Sequence, residues 1–166
     1  RTAEKLRTLS LTPEIRTLVY QSNQRGLDRD PQKNLLEWAK DDQSNDLLRS
    51  VMENDAARFL REYVLDSNFR DILVTDAFGR IAAATHRGSD YYVADQKWWR
   101  FAFREGAGGR YIGDITYDEE AGFYGMDYAL PIVDRTSQRA VGVIRAVVDS
   151  EEILNLIRNQ TRKGDA

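Results

Sequence analysis

The hydrophobic period of this chain changes once, at Asp71. Before that point apolar residues recur at helical spacing. After it they alternate, as they do in strands with one buried face. A chain that runs helix first and sheet second folds as α+β, with its helices gathered against an antiparallel sheet. The helical part carries two clear start signals. Thr12-Pro13-Glu14 offers a capping hydroxyl, a proline at the first helical position and an acid in the first turn, and Asp30-Pro31 repeats the pattern. Leu48, Val51, Met52, Ala56, Phe59, Leu60 and Tyr63 then form one apolar stripe over 46–65.

The second part reads as five strands. "DILVTDAFGRIAAAT" is strand, turn, strand, with Gly79 supplying the positive φ of the turn. Residues 86–109 are irregular, apart from a short helix over Lys97–Arg104 that "GAGG" ends. Strands follow at 110–116, 123–133 and 139–149, the last two joined by the short loop "DRTSQ" as an antiparallel hairpin. "SEEILNLI" opens an exit helix, with Ser150 as cap and Ile153, Leu154 and Ile157 on one side.

Composition narrows the functional classes. A net charge of −3 with scattered Lys and Arg provides no basic field for a nucleic acid. With no cysteine there is no disulfide, no thiolate nucleophile and no Cys-based zinc site. The single histidine, His86, sits in a polar loop where solvation is the ordinary outcome, and nothing around Ser89 resembles a nucleophile elbow. "GAGGR" lacks the Lys-Ser/Thr of a phosphate-binding loop. Asp114, Asp118, Glu119 and Glu120 crowd one turn without the spacing of a calcium loop. The expectation is no catalysis, no metal and no cofactor. The chain begins at Arg1 inside a helical pattern and contains no apolar run of membrane-spanning length. It therefore reads as a piece of a longer protein whose membrane anchors, if it has them, lie outside this segment.

The chemistry concentrates in the sheet half. "DYYVADQKWW" puts Tyr91, Gln96, Trp98 and Trp99 together, and Tyr111, Tyr117, Tyr124 and Tyr128 follow. Rings with an apolar body and a polar tip suit a small-molecule pocket. Adjacent tryptophans cannot share a helical face, so one is expected in the core and the other toward a neighbouring space. In the last strand, Val143, Arg145, Val147 and Asp149 share one face and Gly142, Ile144, Ala146 and Val148 the other. A hairpin centred near Thr136 puts Arg145 opposite Asp127. That is either a cross-strand ion pair of little consequence or a cation and acids lining a cavity under aromatic walls.

Taken in order, "DILVTDAFGRIAAAT", "DYYVADQKWW", "GRYIGDITYDEEAGFYGMDYALPIVD" and "AVGVIRAVVDSEEILNLI" resemble the Cache family, the PAS-like extracytoplasmic sensor domains of bacterial transmembrane receptors. The resemblance covers about 71–157. It implies a sensor core at 71–157, a helical entry segment at 1–70 built on a long helix rising from the membrane, and an exit-helix end or linker at 158–166. It also implies a small-molecule ligand (an amine, amino acid or carboxylate) held between sheet and insertion, and a homodimeric periplasmic receptor anchored on both sides of this segment. The output partner is a histidine kinase, chemoreceptor, cyclase or phosphatase. In the amino-acid-binding branch a tyrosine precedes an arginine by five, Trp-Tyr follows, then Tyr-x-Asp, and a final Asp holds the ligand's amine. Tyr91, Trp98, Tyr117 and Asp149 match that pattern; Gln96, Trp99 and Glu119 depart from it. Gln96 replaces a two-pronged cation by a neutral amide. Either Arg145 supplies the missing cation from the pocket floor, or the ligand is an amine held by Asp149 and stacked on tryptophan. The competing readings are a cytoplasmic PAS-like module that dimerises or binds a cofactor, and a small enzyme of unrecognised chemistry.

Overall fold

The computed structural model describes residues 1–119 and 121–164, with the side chains of residues 152, 153 and 156 outside the description. Glu120 and the Ile153 side chain of the expected exit-helix face thus lie outside the described residues. The elements are α1 (Thr2–Ser10), α2 (Pro13–Gln24), α3 (Pro31–Trp38), α4 (Asp46–Met52), α5 (Asp55–Leu65), β1 (Phe69–Asp76), β2 (Ile81–Ala84), α6 (Lys97–Phe103), β3 (Tyr111–Asp118), β4 (Phe123–Val133), β5 (Ala140–Asp149) and α7 (Glu151–Gly164). The five strands form one antiparallel sheet in the order β2-β1-β5-β4-β3. The fold is α+β, with five helices ahead of the sheet.

Two expectations about the helices are corrected. The periodic stretch 46–65 is two helices rather than one. Asn54 interrupts it: its Oδ1 accepts from Ala57 N at 2.8 Å, and its Nδ2 donates to Ser50 O at 2.8 Å and Ala82 O at 2.9 Å. One side chain thus closes α4, opens α5 and ties both to β2. α1 and α2 divide at Leu11-Thr12, where the sequence places a helix start, but the expected cap is not made. Thr12 does not cap α2; its hydroxyl donates back to Leu9 O at 2.8 Å, while Pro13 occupies the first helical position. Asp30 does cap α3, accepting from Lys33 N.

The alternation of β5 sorts the two sides of the sheet. Ile144, Ala146 and Val148 bury with Ile72, Val74, Leu130 and Ile132 against Leu6, Leu9, Ile15, Val19 and Leu60 of the helices. Val143 and Ala129 face the other way and bury with Trp98, Trp99 and Ala102 of the insertion, joined by Val51 of α4 and Trp38 of α3. The strands β1, β4 and β5 therefore have one apolar face under helices and another toward the irregular segment. Gly142 permits the close packing of β5 on β1, since a Cβ there would stand 2.2 Å from Thr75 O.

The buried exception is polar. Arg80 and Asp76, fully enclosed at the β1–β2 turn, join through Nε and Oδ2 at 2.7 Å. Arg80 also donates to Gly26 O at 2.7 Å, Asp28 Oδ1 at 3.0 Å and Ser22 O at 2.9 Å. Asp76 further accepts from the Ser22 hydroxyl at 2.6 Å and from Phe78 N at 2.9 Å. The Tyr92 hydroxyl donates to Asp28 Oδ2 at 2.6 Å and accepts from Asn34 at 3.0 Å.

Removing one member of such a network leaves a buried charge without its partner. Arg80→Met should lower stability by about 3–5 kcal/mol in urea unfolding. The acid side of the same network is also testable. Partial burial pushes Asp28 up, but the Tyr92 hydroxyl and the Arg80 guanidinium outweigh it and hold the carboxyl below its ordinary value. A depressed folded-state pKa gives stability that is complete above the unfolded value of about 4 and lost as pH falls through the folded one. The urea midpoint should therefore drop below pH ~4, and Tyr92→Phe should shrink the drop by removing one cause of the shift.

Candidate ligand-binding site

The insertion enters alongside the sheet. Ile81 N donates to Tyr91 O at 3.0 Å and Val93 N to Gly79 O at 2.8 Å, so residues 91–93 run beside the start of β2. The chain then turns into α6, which ends where Arg104 and Glu105 take positive φ, at 49° and 53°. Gly109 comes next with its backbone against Phe101 O, where a Cβ would stand at 2.6 Å.

The two tryptophans of α6 divide between two jobs. Trp99 is core: its Nε1 donates to the buried Thr75 hydroxyl at 2.8 Å and its ring stacks on Phe103 at 4.6 Å. Trp98 turns to the neighbouring space. Its Nε1 donates to Gln96 Oε1 at 2.7 Å, and the Arg145 guanidinium lies over its ring at 5.0 Å.

Between Trp98 and the sheet lies a cleft of about 170 Å³. Leu73 and Arg145 make its floor, Ile81 and Ala84 one flank, Trp38 the far wall, and the loop from His86 to Asp90 its rim. The volume is below the roughly 300–1,000 Å³ of sites for drug-sized molecules, and fits a small metabolite. A hollow of about 520 Å³ is larger, but it lies on the helix side of the sheet, between α2 and the end of β4, away from the insertion. Converging polar groups distinguish the cleft under the insertion.

Those groups are already partly engaged. Arg145 donates from Nη2 to both Asp127 oxygens at 3.0 Å. The pair is diagonal, since Asp127 lies opposite Val147 and Arg145 opposite Ala129. The directly opposed register expected from the sequence is two residues out. Arg145 Nε is buried without a partner among the described residues. Asp71 Oδ1 accepts from the Thr85 hydroxyl at 2.5 Å and stands 3.3 Å from His86 Nδ1. Asp90 Oδ2 accepts from Gln96 Nε2 at 3.0 Å. Gln96 thus bridges Asp90 and Trp98.

Of the residues expected at a site, Gln96, Trp98 and Arg145 line this cleft and Asp127 stands behind Arg145. The other five lie elsewhere. Tyr91 is buried between Trp38 and Tyr92 and faces a separate hollow of about 160 Å³ that Ser22 and Arg25 also line. Trp99 is in the core, and Tyr111 is half-buried beside Phe101. Tyr117 is exposed and packs on Tyr124 at 4.9 Å. Asp149 gives Oδ2 to Arg70 at 2.7 Å and Oδ1 to Glu151 N at 3.0 Å, which caps α7. That capping bond and Arg70 hold its carboxyl down against the effect of burial. Sequence reading missed Asp71, Asp90 and Trp38. Alternation gave a signal for Asp71, which precedes Leu73 by two residues on the insertion face; the rim loop gave none.

No family model matches the chain, and no curated protein matches it. Solved structures do. The ligand-binding domain of the Pseudomonas aeruginosa PAO1 amino acid chemoreceptor PctC, in complex with GABA, is 17% identical, with 80% of this chain and 56% of that one covered at a TM-score of 0.51. The sensory domain of the Campylobacter jejuni chemoreceptor Tlp3 with isoleucine bound is 14% identical, with 94% and 62% covered at a TM-score of 0.49. The V. cholerae histidine kinase DctB sensor domain is 17% identical, with 75% and 44% covered at 0.42. The chain thus spans between 44% and 62% of each of these structures, and it shares its fold with about half of the PctC ligand-binding domain.

The division of labour between the tryptophans can be checked by unfolding. Trp99→Phe should cost roughly 1–3 kcal/mol, because it removes a buried donor and part of a stacked ring. Trp98→Phe should cost less, since Gln96 can turn its carbonyl to water.

Proposed function

We propose that this chain is the extracytoplasmic small-molecule sensing domain of a membrane-bound bacterial signalling receptor. The observation that carries the reading is the cleft between sheet and insertion, with Trp98 as wall, Gln96 beside it and Arg145 on the floor. The fold shared with a chemoreceptor domain that holds GABA supports it. In this reading the ligand sits under the insertion, and its binding energy biases how the insertion and β5 sit against each other. β5 runs directly into α7, so a shift at Arg145 reaches the exit helix through one continuous segment. The domain would lie in the periplasm, between membrane anchors on either side, and work as a homodimer within a histidine kinase, chemoreceptor, cyclase or phosphatase. No helix among the described residues is long and apolar enough to cross a membrane.

The enzymatic reading has one feature to answer. Asp71 and His86 are in contact and Ser89 is on the same rim. Yet Ser89 makes no hydrogen bond to His86 among the described residues, and His86 is largely exposed. A nucleophile requires its base within hydrogen-bond reach, so the arrangement favours binding over turnover. No group of His, Asp and Glu among the described residues is placed to hold a metal.

Thermal unfolding against amino acids, short carboxylates, amines and purines tests the proposal. A ligand at ~100 times its dissociation constant should add about 2.7 kcal/mol, a midpoint shift of several degrees in a domain of this size. Trp98→Ala should abolish the shift. A shift that survives Trp98→Ala would put the ligand elsewhere, and a folded chain that responds to nothing would sink the sensor reading.

A further inference from the structure

We infer that the ligand of this cleft is a cationic amine, and that Asp71 and Asp90 hold its ammonium. The inference rests on the sensor reading above and specifies the chemistry of the same site.

The charge balance of the cleft is the starting point. Arg145 is the one permanent cation on its lining, and Asp71 and Asp90 are the carboxylates. Arg145 is neutralised from behind, because its Nη2 contacts both oxygens of Asp127. One guanidinium therefore stands against three carboxylates, a formal −2 with His86 neutral. An incoming carboxylate meets a spent cation and two like charges, and like charges disfavour its entry. An incoming ammonium meets the reverse.

Unused acceptors point the same way. Asp71 engages Thr85 and His86 through Oδ1 alone, and Asp90 engages Gln96 through Oδ2 alone. Asp71 Oδ2 and Asp90 Oδ1 have no hydrogen-bond partner among the described residues. An ammonium carries three donors and no acceptor, which suits two carboxylate oxygens left open on the exposed rim of the cleft. The indoles are less available for this role. Trp98 already carries Arg145 on its ring at 5.0 Å, and Trp38 carries Arg87 at 5.8 Å. A second cation on those rings would meet a guanidinium, so recognition of charge falls to the carboxylates and the rings bound the apolar body. Asp149, engaged at both oxygens beside α7, is not on the lining.

The test is a matched series differing only in head group: butylammonium, 1,4-diaminobutane, 1-butanol and butyrate, followed by thermal unfolding and calorimetric titration. The two amines should raise the midpoint, and butanol and butyrate should not. Asp71→Asn and Asp90→Asn keep an acceptor for Thr85 and Gln96, so the fold should persist, which near-ultraviolet dichroism would verify. Each should weaken diaminobutane binding by at least about tenfold, the value of one charge-assisted hydrogen bond. Stabilisation by butyrate that depends on Trp98 would overturn the amine inference and leave the sensor reading standing. So would loss of amine binding on Asp149→Asn with none on Asp71→Asn. Silence from both amines also overturns it; only silence across GABA, amino acids, carboxylates and purines as well would take the sensor reading with it.

Discussion

The buried guanidinium of Arg80 holds the rest of the structure in register. It sits in the β1–β2 turn and reaches the end of α2 through Ser22, the connector to α3 through Gly26 and Asp28, and β1 through Asp76. Tyr92, on the far side of Asp28, brings in the insertion. A buried ion pair adds little net stability over a well-packed apolar pair, because desolvation offsets most of the attraction. What it imposes here is geometry. Four of its five planar N–H donors find acceptors here only because these segments meet at fixed distances. The start of the insertion is anchored in this way, and Gln96 and Trp98 follow it by only a few residues. The cleft's wall is therefore positioned from the β1–β2 turn, and its floor from β1 and β5.

The floor comes from strand alternation. β5 is the central strand, between β1 and β4, with α1 and α2 on one side and the insertion on the other. Ile144, Ala146 and Val148 leave no polar group on the helix side. Arg145 therefore has to face the insertion, where it needs a counter-ion and some solvent. Asp127 supplies the first. The cleft supplies the second: a gap between an apolar sheet and an aromatic lid. The same alternation puts Asp71 on this face, two residues from Leu73. One periodicity thus explains both the core and the polarity of the candidate site.

The sequence made that periodicity plain. The strands, the Gly79 turn, the short α6 and the split between Trp98 and Trp99 all follow from spacing and chemistry within a few residues. The features that escaped depend on partners distant in sequence. Arg80 in "FGRI" reads as a solvated turn residue until Ser22, more than fifty residues away, is seen beside it. Asn54 reads as one more polar position in a helical stripe until Ala82 O appears as its acceptor. The diagonal reach of Arg145 depends on a side-chain length and a register that alternation leaves open by two residues. Asp149 fitted a pattern by position, but Arg70 sits near enough to claim it. Local rules reach as far as the faces; which groups on a face stay open to a ligand depends on long-range pairing.

Gln96 illustrates what that pairing does to chemistry. A glutamine amide both donates and accepts, and here it does each once: Nε2 to Asp90 and Oε1 from Trp98. An arginine at this position could serve Asp90, but it has no acceptor to offer the indole N–H. It would also cancel the charge of Asp90 and leave the cleft nearer to neutral. The glutamine therefore fixes the Trp98 wall while preserving the acidity of the rim. Read with the Asp127–Arg145 pair beneath it, the exchange of a cation for an amide is part of one consistent electrostatic design. Both the cation that is missing at 96 and the cation that is masked at 145 leave Asp71 and Asp90 as the uncompensated charges facing the space.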